Sequence, residues 1–209
     1  MSCLRPLGLS FLANAHDAGT AGVILRSEHA KSVYVGKPWR IMLRDLDVDE
    51  RVVLRRAGQP PGLFDGDGSW ISVDDYYAIA DAVEAEAGDP TVALRAGQFV
   101  SAELFDPAYF AAICSQDLNA ALCRLSEHME LVGPFALDVE VEADQTTVRY
   151  RCKHRPDLAR ALGLSQLAFL VALARRATRV EVEPRRVTVA APADDFRASQ
   201  HSWYRSVSC

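Results

Sequence analysis

The sequence is short of the features that announce a known chemistry. Its five cysteines, Cys3, Cys114, Cys123, Cys152 and Cys209, are odd in number and far apart, with no CxxC pair. Neither a zinc knuckle nor a thioredoxin-type motif can be built from them, and reduced thiols are expected. No apolar run is long enough to span a bilayer. The opening MSCLRPLGLSFLANA has one early arginine and an apolar patch interrupted by Pro6, which makes a poor signal peptide. A cytoplasmic protein is expected. His16, His29, His128, His154 and His201 are scattered, G-x-S-x-G is absent, and Glu127-His128 lacks a second histidine at metal-binding offset. Walker and dinucleotide glycine fingerprints are missing as well. The chain is therefore not read as an enzyme, and no catalytic residue, metal or cofactor is expected. A basic excess is lacking too. The net charge of −5 argues against a chain given over to nucleic-acid binding.

What is present is an ordinary globular chain. Its 209 residues, 49% hydrophobic and 24% charged, suffice for one domain with a real core. Residues 1–41 show no sustained period and read as a poorly defined arm, with Lys37-Pro38 as a break and Met42 as a second possible start. LDVDERVVLRRAGQPP predicts a short helix with Asp47 near its start and Gly58 at its close. The DGDG within Gly62–Ser69 lacks the further acids of a calcium loop and reads as a turn.

Ser72–Gly97 spells out two helices with their punctuation. Ser72 is a candidate N-cap, with Asp75 three residues on at the position of a capping-box acid. Tyr76, Ile79, Ala80, Val83 and Ala87 form one apolar face, and Gly88 suits a left-handed C-cap. Asp89-Pro90 then opens a second helix that Gly97 stops. Asp106-Pro107 repeats that device for a helix through Tyr109, Phe110 and Ile113. Ser115–Asp117 caps another, whose stripe of Leu118, Ala121, Leu122, Leu125 and Met129 ends at Gly133-Pro134.

The period then shifts from helix to strand. Phe135–Glu142 and Thr146–Lys153 alternate apolar and polar residues and predict an antiparallel hairpin. Val148, Tyr150 and Cys152 should face inward. Glu140 and Glu142 can meet Arg149 and Arg151 across the strands, contributing tenths of a kcal/mol at most if exposed. Leu164–Arg179 is apolar around most of its circumference and should be buried on more than one side. Arg175, Arg176 and Arg179 suit the negative end of its dipole. VEVEPRRVTVA is a further extended segment, broken at Pro184. The expected class is α+β: a helical N-terminal half followed by an antiparallel sheet with one buried helix packed on it.

For ligand contacts the residues offer few leads. Arg149 and Arg151, in a basic row continued by Lys153, His154 and Arg155, can hold an anion or simply form a solvated strand face. Arg95 and Glu103 flank a turn where they can line a polar pocket. Four segments taken in order say more: LRRAGQPPGLF, YYAIADAVEAEAGDPTVALRAGQ, FDPAYFAAICSQDLNAALCRLSEHMELVGPF and LAFLVALARRATRVEVEPRRVTV. Together they resemble the N-terminal effector-binding domain of AraC-type transcriptional regulators, in the arabinose-binding-domain-like branch with the ornithine- and arginine-utilisation regulators. The likeness spans roughly Leu43 to Pro192. It implies a bacterial domain over 42–192 that senses a small molecule and often dimerises. In that family a separate domain of two helix-turn-helix motifs binds promoter DNA. Residues 193–209 depart from the pattern and read as an irregular tail, so the expectation is a regulator truncated before its DNA-binding domain. No DNA-contacting residue is assigned. The alternative is a stand-alone interaction protein that pairs with an intact regulator.

Overall fold

The computed structural model describes residues 8–13 (backbone), 32–89, 91–98, 107–153 and 159–189. The hairpin is where the alternation puts it. Strands β4 (Phe135–Val141) and β5 (Gln145–Cys152) pair antiparallel, with Phe135 opposite Cys152 and Val139 opposite Val148. Phe135, Leu137, Val148, Tyr150 and Cys152 are buried, because a period of two puts every second side chain on the core face. Arg149 reaches Glu140 at 3.0 Å as expected, but Arg151 pairs with Asp138 at 2.8 Å rather than with Glu142. The register explains the change. Arg149 stands opposite Asp138 and Arg151 opposite Ala136, so each arginine bonds the acid on its diagonal.

Two more strands complete this sheet. β1 (Gly8–Ala13) runs parallel to β5 on one side and to β6 (Pro184–Val189) on the other, giving the order β4-β5-β1-β6. The α+β class holds, and the sheet is mixed, antiparallel in the hairpin and parallel where β1 joins. Pro184 is the first residue of β6, where a missing N–H removes no interior ladder bond. A second, two-stranded antiparallel sheet pairs β2 (Ser32–Val35) with β3 (Ser69–Ser72). Both β1 and β2 come from the stretch that lacks a sequence period. They are short, and their pairing partners lie far along the chain, so no local pattern marks them.

The arm boundary after residue 41 falls inside helix α1 (Lys37–Asp45). Pro38 sits in its first turn, where proline costs no helical bond, so Lys37-Pro38 is a helix start instead of a break. Helix α2 (Glu50–Arg56) is capped by Asp49, whose carboxylate accepts from the Arg51 amide at 2.8 Å. Asp47 is not at its start. It adopts φ 61° at the exit of α1, a conformation that aspartate tolerates better than most residues.

Helix α3 (Val73–Ala87) has the expected punctuation. The Ser72 hydroxyl accepts from the Asp75 amide at 3.0 Å and donates to its carboxylate at 2.6 Å, and Gly88 closes the helix at φ 58°. Helices α4 (Val92–Gly97), α5 (Pro107–Ile113) and α6 (Leu118–Val132) follow, the last capped by Asp117. Helix α7 (Ala159–Thr178) packs on β5, β1 and β6 and, on another side, on α4, which accounts for its broad apolar circumference. Arg179 lies beyond its end at φ 55°, while Arg175 donates from Nε to the Val182 carbonyl at 2.9 Å. No helix of the described residues is long and apolar enough to cross a membrane.

Gly97 fixes how closely α4 and α7 approach. A Cβ there would stand 2.2 Å from the Ser165 carbonyl oxygen and 2.5 Å from the Ala168 Cβ. Only glycine allows this crossing. The residue that reads in sequence as a helix stop is therefore also the contact point of two helices.

Candidate functional site

The α4–α7 crossing closes one side of a cavity of about 230 Å³. Helix α3 supplies the opposite side through Tyr76, Ala80, Val83 and Glu84, which share a face because residues three and four apart stack on a helix. Helix α1 adds Trp39 and Met42. Val92, Ala93 and Ala96 come from α4, Tyr109 from α5, Val132 from α6, and Ser165, Gln166 and Phe169 from α7. Small residues on α4 matter here. Their side chains leave the space that larger ones would fill.

The walls are aromatic. Trp39 meets Tyr76 edge-on at 5.4 Å between centroids and stacks on Phe64 at 5.9 Å. Tyr76 continues inward to Phe135 at 5.7 Å, and Phe135 to Tyr150 at 5.2 Å. Across the cavity Tyr109 leans on Phe169 at 4.6 Å. These distances fall in the range of favourable edge and offset ring pairs, so the walls are held in place by packing.

The polar groups are fewer. Asp81 and Glu84 sit on exposed positions of α3 at the cavity rim. Ser165 donates to the Leu162 carbonyl at 2.9 Å, within its own helix. The amide oxygen of Gln166 is buried without a hydrogen-bond partner. Burial pushes ionisation of the Tyr76 hydroxyl well above its ordinary value and raises the Cys152 thiol to about 11. Both stay neutral near pH 7. Among the described residues, no group of three His, Cys, Asp or Glu side chains is placed to hold a metal ion.

The residues singled out from sequence lie elsewhere. Arg95 points away from the cavity, donating to the Leu46 carbonyl at 3.2 Å and pairing with Asp89 at 3.4 Å. Arg149 and Arg151 are joined to Glu140 and Asp138 on the sheet. Glu103 lies outside the described residues. The structure does not bring Arg95, Arg149 and Arg151 together. What sequence reasoning passed over is the aromatic set. Trp39 lies in the stretch without a period, and Tyr76, Tyr109 and Phe169 read as helix core. A usable signal was the polar pair Asp81 and Glu84 beside the apolar face of α3.

No curated protein matches the chain. A family model described as the arabinose-binding domain of AraC transcription regulators, N-terminal, matches residues 48–206. The match takes in the helices that frame the cavity from α3 to α7, together with the hairpin and β6. It also continues past Pro192 through most of residues 193–209, a correction that places the expected irregular tail largely inside the family match. With three quarters of its length so matched, the chain belongs to the family of N-terminal, ligand-sensing domains of AraC transcription regulators.

Proposed function

We propose that the cavity between α1, α3, α4 and α7 is the effector site of this regulatory domain. The observation that carries the reading is an aromatic-walled space at the meeting of helices, within a domain whose family senses ligands. Pockets of this kind, mostly apolar with a few polar groups, are the usual form of small-molecule sites. In this reading Arg95, Arg149 and Arg151 serve the fold's ion pairs, and promoter recognition falls to a helix-turn-helix domain rather than to residues 48–206. The purified chain should then leave promoter DNA unshifted at physiological salt. Sequence-specific binding at nanomolar concentration would contradict it.

The site itself is tested by filling it. Ala80 is a half-buried cavity residue of α3, so Ala80→Phe places a ring in the space with little disturbance of the core. A ligand screen read by thermal melting should find compounds that raise the Tm of the wild type and leave the variant unchanged. Compounds that stabilise both equally bind elsewhere.

A second reading, pairing with another copy or with an intact regulator, draws on the two-stranded β2–β3 sheet. Trp70 is 71% exposed and packs edge-on against Tyr34 at 5.7 Å, an aromatic pair facing solvent. Exposed aromatic side chains of this kind are enriched in interfaces. Co-elution with an intact regulator, lost in Trp70→Ala, is the expected result. Failure to co-elute removes the basis for this second reading.

A further inference from the structure

We propose that the cavity selects a small organic cation, an ammonium group on a compact apolar body, over an anion. The inference rests on the cavity being the effector site and goes on to its chemistry. The charged side chains and the one unsatisfied buried acceptor at the site point to a ligand that donates hydrogen bonds and carries positive charge. Trp39, Tyr76 and Phe169 line the cavity, and the face of such a ring is a negative pole that attracts a cation within about 6 Å of its centre. Glu84 and Asp81 add carboxylates at the rim, and Glu84 forms no ion pair with a described residue. Gln166 contributes a buried acceptor that still lacks a donor.

The complement is equally telling. None of the described lining residues is a lysine, arginine or histidine. A carboxylate or phosphate entering the cavity would lose its hydration and find no cationic side chain among the described lining, only neutral donors and, at the rim, like charge. An amino acid would bring one head group the site can hold and one it cannot. Tyr76, neutral near pH 7, adds no charge to the described lining, whose acidic side chains are Asp81 and Glu84. The volume, about 230 Å³, lies below the ~300–1,000 Å³ common for drug-sized ligands, so the ligand is small.

The test uses three compounds with one five-carbon body: pentylamine, pentan-1-ol and pentanoate. Each is titrated calorimetrically at pH 7 and low salt into the full chain, into Ala80→Phe, and into the double variant Asp81→Asn/Glu84→Gln. Pentylamine should bind roughly tenfold tighter than pentanol, with pentanoate weakest. In the double variant the amine's advantage should fall several-fold while pentanol affinity stays the same. Ala80→Phe should abolish binding of all three. If pentanoate binds as tightly as the amine, and Ala80→Phe still removes both, the charge preference is overturned and the cavity stands as a ligand site. An amine preference untouched by the double variant overturns the role of the rim carboxylates. Binding that survives Ala80→Phe, or no binding by any compound, removes the cavity reading and this inference with it.

Discussion

At the scale of single residues, the tightest constraint is Gly97. Its neighbour across the helix crossing is a backbone oxygen, which cannot rotate out of the way as a side-chain tip can. Gly97→Ala must therefore push α4 away from α7. Overpacking of this kind costs about 1–3 kcal/mol, against the ~1 kcal/mol that alanine would gain over glycine in an unconstrained helix. Urea unfolding should show the variant destabilised, with its midpoint lowered and its slope unchanged. Because Gly97 also lines the cavity, the same substitution should weaken ligand binding, whereas Gly88→Ala should affect stability alone. Gly88 has open space around it but a left-handed φ of 58°.

At the scale of elements, the helix starts set a dependence on acid. Hydrogen bonding holds two carboxyls below their ordinary range: Asp75 chiefly through the Ser72 hydroxyl, and Asp89 chiefly through the Thr91 amide. For both, the folded-state pKa lies under the unfolded one of about 4. The unfolded chain then takes up protons first as pH falls, so the stabilisation is complete above that value and is lost below it as the folded carboxyls protonate. Comparing urea midpoints at pH 6 and pH 3 should show a smaller loss for Asp75→Asn than for the wild type. Ser72→Ala should cost about 1 kcal/mol at pH 6, the usual value of an N-cap. Asp89, read as opening α4, instead accepts from Thr91, the residue at which that helix starts. The Ser72–Asp75 cap was legible in the sequence because it is written within four residues, and so were the hairpin and the buried α7. Strands β1 and β2 were not, since their partners lie far along the chain. The cavity was harder still. Trp39, Tyr76, Tyr109 and Phe169 are spread over four helices, and only the packing of those helices shows which apolar residues line a space and which fill one.

At the scale of the whole molecule, the main sheet depends on its first strand. β1 is the only described link between β5 and β6, so the sheet divides without it. A chain begun at Met42 would lack β1 and β2 and would expose the inner edge of β5, an unpaired row of donors and acceptors open to aggregation. Such a chain should be largely insoluble, and any soluble fraction should unfold without a cooperative calorimetric transition. A soluble, cooperatively folding product would show that β1 is dispensable. The same arrangement governs how the protein is made. The strand that leaves the ribosome first must wait for Gln145–Cys152 and then for Pro184–Val189 before either of its edges is covered. At synthesis rates of about 5–20 residues per second that is a delay on the order of ten seconds or more. During it the helices from α3 to α6 emerge, but α4 and α5, of six and seven residues, are too short to hold without the α7 and sheet packing that comes last.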